Sequence, residues 1–202
     1  MKTVNAAAFA LIFFLATQSF AAADETPAAA VVESLHATLL KIMQDADTLG
    51  YSGRVDTIAP VLNRSFDFET ISRIVTGRAW NELDATQRSE FTALFARLSA
   101  ATYASNFSSF SGERFETLSS EAKRDNMLVK TVLVKVDGDK VTLDYLLRKS
   151  DGLWRIVNVI AEGVSDLSLK RADYTAVIKN EGFNSLITQL NGKVASYGES
   201  GR

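Results

Sequence analysis

The chain has 202 residues, with 22 lysine and arginine side chains against 24 aspartate and glutamate side chains and a net charge of −2 at pH 7. This balance lacks the basic excess of a nucleic-acid-binding domain, so no nucleic acid is expected among its partners. The sequence has no cysteine, which excludes disulfides, thiol catalysis and cysteine-based metal sites.

Residues 1–23 have the pattern of a cleavable signal peptide. Lys2 precedes an apolar run over residues 6–16 that is too short to span a bilayer. Small residues follow, which predicts cleavage after Ala21 or Ala23. The alternative is an uncleaved membrane anchor, which the polar residues immediately after this segment disfavour. We therefore predict an exported, soluble protein.

The mature chain is predicted to be one domain over residues 24–198, followed by a frayed tail at 199–202. Apolar side chains at helical spacing predict a first helix over residues 27–49. A second helix is expected to start near Arg54 and to kink at Pro60. After these two helices, Asp67 is a candidate N-cap of a short helix that ends near Gly77.

A long helix is predicted from a variant capping box at Asp84 and Gln87 to about Ser109. Its apolar stripe changes direction along its length, which indicates that the helix bends or packs against two different neighbours. The first stripe consists of Phe91, Leu94, Phe95 and Leu98. The second consists of Tyr103, Phe107 and Phe110.

Strands dominate the next third of the chain, and helices follow them. The predicted strands cover residues 113–119, 127–136, 140–149 and 153–161. Asp137-Gly138 and Asp151-Gly152 are strong hairpin signals. Two helices close the chain, one over residues 168–179 and one carrying Phe183. The predicted fold class is α+β, a curved antiparallel β-meander sheet of about four strands packed against N- and C-terminal helices.

Both Asp-Gly turns, taken as two-residue hairpins, predict the register of the sheet. The expected partners are Val134 with Val141, Val132 with Leu143, Leu147 with Ile156, and Tyr145 with Asn158. Strict alternation then places one set of side chains on a common inner face, with Asn158 as its polar member. That set is Val132, Val134, Leu143, Tyr145, Leu147, Trp154, Ile156 and Ile160. The last strand is apolar on both sides, so it is expected to be central in the sheet, with helices covering part of its second side.

The inner face and the second aromatic stripe have two interpretations. They could enclose a cavity, or they could form an ordinary solid core, since apolar stripes are usually core. Catalysis has little support, because no nucleophile, metal or nucleotide-binding motif occurs. His36, on the apolar side of the first helix, is expected to be a hydrogen-bonded core residue, and so is Asn158. Nothing in the sequence indicates a cofactor or a metal site.

Four segments resemble the MlaC family, also called the toluene-tolerance family. They are FDFETISRIVTGRAW at 66–80, TYASNFSSFSGERFE at 102–116, LDYLLRKSDGLWRIVNVIAEGVS at 143–165 and EGFNSLITQL at 181–190. The resemblance implies a mixed α/β fold related to the cone-shaped NTF2-like fold, with acyl chains held between sheet and helices. It makes the inner face, the second aromatic stripe and Asn158 the candidate lipid-pocket lining.

The same resemblance implies a periplasmic, non-enzymatic lipid carrier. Its partners would be a lipid, an inner-membrane lipid transporter and an outer-membrane acceptor complex. SDLSLKRADY at 165–174 is more similar to the hopanoid-associated branch, HpnM, which implies a hopanoid as cargo instead of a phospholipid. Two alternatives stay open. One is a cone-fold enzyme that uses Asn158, Tyr145 or Asp144, and the other is a non-catalytic adaptor of a lipid transport system.

Overall fold

The computed structural model describes residues 27–200, and the predicted signal peptide lies outside them. Helices precede an antiparallel sheet and two more helices follow it, which confirms the predicted α+β class. The elements are α1 (Ala28–Gln44), α2 (Ala46–Ser65), α3 (Phe68–Thr76), a 3₁₀ turn (Gly77–Asn81), α4 (Ala85–Asn106), β1 (Arg114–Lys123), β2 (Asn126–Val134), β3 (Lys140–Ser150), β4 (Leu153–Ala161), β5 (Val164–Ser165), α5 (Asp166–Glu181) and α6 (Phe183–Ser200).

Two helix starts follow directly from side-chain capping. The Asp67 carboxylate accepts a hydrogen bond from the Thr70 backbone N–H at 2.9 Å. At α4, the Asp84 carboxylate accepts from the Gln87 N–H at 2.8 Å, and the Gln87 side chain accepts from the Asp84 N–H at 3.0 Å. Each contact satisfies a backbone donor that the first turn of a helix leaves free. Both predicted caps are confirmed.

The first helix is predicted over residues 27–49, and its predicted C-terminal boundary is wrong. α1 stops at Gln44, and α2 begins at Ala46 and breaks at Gly50, whose φ and ψ are 59° and −176°. A residue with a Cβ is strained at this backbone angle, so glycine suits the break. α6 continues to Ser200, past the predicted boundary at Gly198.

The first predicted hairpin register is wrong by one residue. The Lys135 N–H donates to the Asp139 carbonyl at 2.8 Å and the Gly138 N–H donates to the Lys135 carbonyl at 3.0 Å, so the loop has three residues instead of two. Val132 therefore pairs with Thr142 and Val134 with Lys140. A one-residue slip moves a strand's side chains to the opposite face. Val132 and Val134 thus lie on the face opposite Tyr145.

The second hairpin has the predicted turn but not the predicted register throughout. Asp151 and Gly152 have φ angles of 51° and 78°, as a two-residue type I′ turn requires, and Leu147 pairs with Ile156 as predicted. A bulge then shifts the register, so Tyr145 pairs with Val159 instead of Asn158. Ile160, which pairs with Asp144, consequently leaves the predicted inner face.

β4 is not central as predicted, because the strand order is β1-β2-β3-β4-β5 and β5 has only two residues. The expected helical cover of its second side is present. The α2–α3 connection covers its free edge, where Phe66 bridges to Ile156 and the Asp67 N–H donates to the Ile156 carbonyl at 3.0 Å. α5 also packs on this strand. β4 therefore pairs with β3 along its length, while the short β5 and helical segments lie along its other side.

A single buried core joins the helices to the inner face of the sheet. α4 packs against α2, α3 and α6, in agreement with the prediction that it meets more than one neighbour. Arg54 is buried among these helices and donates to the carbonyls of Ala104 at 2.9 Å and Ala46 at 3.2 Å. Its guanidinium therefore links the start of α2, before the Gly50 break, to the end of α4.

Replacing this buried cation by an apolar side chain of similar length should destabilise the fold. Arg54→Met leaves two carbonyls without their donor, so we expect a loss of about 2–4 kcal/mol in the free energy of unfolding. Urea denaturation measures it. Arg155→Met is the matched control, since Arg155 also donates to two helix-end carbonyls, those of Asn63 and Arg64, but in contact with solvent. Equal losses in the two variants would contradict the assigned role.

Candidate functional site

A cavity of about 280 Å³ separates α3, α4 and α5 from strands β3 and β4. This volume lies close to the lower end of the range of about 300–1,000 Å³ that is usual for ligand pockets. Its walls are mainly aromatic and aliphatic. The lining residues are Phe66, Phe68, Ile71, Phe95, Leu98, Ser99, Thr102, Tyr103, Asn106, Phe107, Leu143, Tyr145, Val157, Asn158, Val159, Ala161, Asp166, Leu167 and Lys170.

Aromatic rings from two corners of the fold form the helical wall. Phe66 and Phe68 flank the Asp67 cap, and their rings stack with centroids 5.5 Å apart. Tyr103 and Phe107, at the end of α4, stack at 5.8 Å. Phe66 and Tyr103 meet edge to face at 6.3 Å. The cap of α3 and the end of α4 thus present one continuous apolar surface to the sheet.

The bulge in β4 forms the opposite wall. Val157, Asn158 and Val159 are consecutive, yet all three line the cavity. Regular alternation would send the middle residue to the other face, and a bulge relaxes that alternation. The Asn158 amide oxygen accepts from the Ser165 hydroxyl and the Leu167 N–H, both at 3.1 Å. Asn158 is therefore a hydrogen-bonded polar residue, as predicted, and it holds the start of α5 in place.

A buried pair of polar side chains lies on the α1 side of the cavity. His36 Nε2 is 3.0 Å from the Tyr145 hydroxyl, and the imidazole stacks on Phe115 with ring centroids 4.0 Å apart. Burial lowers the pKa of His36 to about 4, and burial raises the pKa of Tyr145 well above its usual value. Both groups are therefore neutral near pH 7. The expectation that His36 is a satisfied core histidine is confirmed.

The mouth of the cavity lies between the end of α4 and the start of α5. Asn106 and Asp166 are the solvent-exposed members of the lining. Lys170 forms an ion pair with Asp166 one turn along α5. Burial, followed by the nearby Asp166 carboxylate, raises the pKa of Tyr103, so its phenol stays neutral. Apart from Ser99, Thr102 and Asn158, the rest of the lining is aromatic or aliphatic.

The structure brings part of the predicted pocket lining together and leaves the rest elsewhere. Tyr103, Phe107, Leu143, Tyr145 and Asn158 line the cavity. Leu147 and Ile156 are fully buried in the solid core, and Trp154 packs against that core. The shifted registers move Val132, Val134 and Ile160 to the other face. Phe110 is solvent-exposed, because α4 ends at Asn106 and helical spacing no longer applies.

Sequence reasoning missed much of the helical lining. Phe68, Ile71, Phe95 and Leu98 occupy apolar helix positions that do not differ in pattern from those of a closed core. Phe66 lies in the α2–α3 connection, where no periodicity predicts its direction. Nothing in the sequence of α5 distinguishes its lining residues.

Neither a metal centre nor a membrane span is present in the described part of the chain. Among residues 27–200, the histidine and acidic side chains form no group of three or more that could hold a metal ion. None of the helices in that range combines the length and apolar character needed to cross a bilayer. We take the apolar-lined cavity between α3, α4, α5 and the sheet as the candidate functional site.

Comparison with known proteins gives the family. The MlaC protein family model matches residues 33–192. The intermembrane phospholipid transport system binding protein MlaC of Haemophilus influenzae is 25% identical over 194 residues, covering 90% of this chain and 88% of that protein. A phospholipid-binding protein from Ralstonia solanacearum, solved in complex with a phospholipid, superposes with a TM-score of 0.71 at 21% identity, over 85% of this chain and 98% of the other. The protein is a member of the MlaC family.

Proposed function

We propose that this protein is a periplasmic lipid carrier that holds the apolar part of a membrane lipid in the cavity between helices and sheet. The observation that carries the proposal is the apolar cavity of about 280 Å³ in a chain of the MlaC family. A relative in this family is named for intermembrane phospholipid transport, and a protein of the same fold was solved with a phospholipid bound.

The driving force would be replacement of the bilayer by the cavity walls. At about 30 Å³ for a group the size of a water molecule, the cavity accommodates roughly nine methylene-sized groups. Each methylene removed from water contributes about 0.8 kcal/mol, so such a segment gains about 7 kcal/mol over exposure to solvent. Nine groups are fewer than a complete tail of a common membrane phospholipid. A longer or second tail would therefore require the walls to separate.

α5 is the wall best suited to move. Tyr174 is the sole fully buried residue of this helix, whereas α1, α2 and α4 each bury several. Three cavity-lining residues, Asp166, Leu167 and Lys170, belong to its first turns. Gly182, with a φ of 89°, joins it to α6. Elements with few buried contacts open at low free-energy cost. Outward motion of α5 would admit and release the lipid.

The cargo would be a phospholipid or a hopanoid, carried between the inner and outer membranes. An inner-membrane transporter and an outer-membrane acceptor complex would be the partners. The hopanoid is included because residues 165–174 resemble the hopanoid-associated branch. The lining supports both lipids, since it is apolar with phenol groups at Tyr103 and Tyr145. The charged pair of Lys170 and Asp166 at the mouth would face a headgroup.

Catalysis is not part of the proposal. The Asn158 amide oxygen is occupied by two donors from the β5–α5 segment. His36 and the Tyr145 hydroxyl bond to each other. An NTF2-like enzyme would need an acid–base group directed at its substrate, and these side chains are held by structural contacts instead. A purely adaptor role would not require the cavity.

Lipid content of the purified protein tests the proposal. Native mass spectrometry followed by solvent extraction should find lipid bound to protein isolated from cells. Val159→Phe should reduce the lipid recovered per mole of protein, because the new ring occupies cavity volume, while the free energy of unfolding changes by less than about 1 kcal/mol. Leu147→Phe is the control in the solid core, where overpacking should cost about 1–3 kcal/mol. Wild-type protein that never carries lipid would refute the carrier function.

His36 provides a second test, based on pH. Its folded pKa of about 4 lies below the unfolded value of about 6.5, so stability is complete above pH 6.5 and falls as the pH drops towards 4. The expected loss is about 3 kcal/mol. Urea denaturation across this pH range should show that loss in wild type but not in His36→Gln. The variant should still carry lipid, and a stable variant without lipid would revive a chemical role for His36.

A further inference from the structure

Large apolar side chains are exposed at four places near one end of the sheet. Phe110 follows the end of α4, Val136 lies at the tip of the β2–β3 hairpin, Val164 begins β5, and Leu169 lies on the first turns of α5. Their exposed fractions are 41%, 71%, 50% and 59%. We refer to these four residues as the mouth rim.

Strand pairing and loop contacts place the four residues at the same end. β2 ends and β3 begins there, where Val134 pairs with Lys140, and β4 ends and β5 begins there, where Ala161 pairs with Val164. A Cβ added at Gly112, two residues after Phe110, would lie 3.7 Å from Val136 Cγ2. The loop after α4 therefore touches the first hairpin tip.

This end of the sheet also contains the mouth of the cavity. The exposed lining residues Asn106 and Asp166 lie four and two residues from Phe110 and Val164, respectively. Lys170, which lines the cavity, is next to Leu169 in α5. The residues of the mouth rim thus lie on, or a few residues from, the elements that border the opening.

Positive and negative side chains both surround the mouth, and neither sign predominates. Lys170 pairs with Asp166, and Arg114 pairs with Glu116 at 2.9 Å. The Glu162 carboxylate accepts from the Thr142 hydroxyl at 3.0 Å. A surface of this kind has no basic patch to attract an anionic membrane. Any attraction to a lipid surface would have to come from the apolar side chains.

We propose that the mouth rim inserts into the surface of a lipid bilayer, so that the cavity opens directly towards the hydrocarbon region. This inference rests on the proposed carrier function. The partner complexes would set where the carrier docks, and the inserted mouth rim would keep the tail out of water as it enters or leaves the cavity. Protein interfaces usually have a continuous apolar centre surrounded by a polar rim. Here single apolar side chains protrude from two loops, a strand and a helix among polar neighbours, which suits penetration between lipid headgroups. Each fully inserted side chain raises the partition coefficient about tenfold or more.

Sedimentation with phosphatidylcholine vesicles tests the proposal, using delipidated protein so that cargo does not influence the result. Wild type should bind these uncharged vesicles, and binding should persist at high salt. A Val136→Ser, Leu169→Ser double variant should bind about 100-fold more weakly, since two insertions are lost. Both residues are exposed, so thermal melting should show an unchanged fold.

The matched control is a Leu118→Ser, Leu153→Ser double variant. These residues are exposed to a similar extent, 58% and 54%, but lie on β1 and at the opposite end of the sheet. Their replacement should leave vesicle binding unchanged. Equal losses in both double variants, binding that high salt abolishes, or no binding by wild type would overturn the proposal. The amount of lipid that co-purifies from cells with each variant tests the carrier function independently. Failure of the carrier function can therefore be distinguished from failure of bilayer insertion.

Discussion

The cavity depends on one irregularity in main-chain pairing, the bulge in β4 beside Leu147. Before the bulge, Leu147 and Ile156 pair in a closed core, and after it Tyr145 pairs with Val159. The extra residue lets Val157, Asn158 and Val159 face the same space. It also places the Asn158 amide where it binds the start of α5, so the bulge shapes one wall of the cavity and positions another.

A cavity inside a small domain lowers the free energy of unfolding, because the side chains that line it lose packing contacts. The surrounding structure must compensate for this loss. A closed empty cavity of this size would cost about 7 kcal/mol at about 24 cal/mol per Å³. The frame around it contains helix caps at Asp67 and Asp84, the buried Arg54 between α2 and α4, and the His36–Tyr145 pair. A bound lipid would replace the missing contacts, so cargo and stability would be linked.

α5 differs from the rest of the frame, because only one of its residues is buried. A carrier must both enclose a tail and release it, and these needs conflict if every wall is equally stable. Here the walls from α3, α4 and the sheet each contribute several residues to the main core, whereas α5 contributes Tyr174 alone as a buried residue. α5 is otherwise held by the Asn158 contacts and by its packing on α3, β4 and α6. Division of the walls into fixed and movable elements would let the lipid exchange without unfolding the domain.

Features that depend only on neighbouring residues could be predicted from the chain alone. Asp67, Asp84 and Asp151-Gly152 act on backbone groups only a few residues away, so the two caps and the second turn could be predicted. Apolar periodicity between them predicted the element order and the α+β class. The family could also be predicted from its motifs, but only Tyr103, Phe107, Leu143, Tyr145 and Asn158 of the predicted pocket line the cavity. The remaining features depend on tertiary contacts. The β4 bulge and the edge contact of Phe66 with Ile156 involve hydrogen bonds and packing between separate segments, which local sequence patterns do not encode. The first hairpin loop is closed by local hydrogen bonds, but Asp137-Gly138 alone does not distinguish a two-residue loop from a three-residue one.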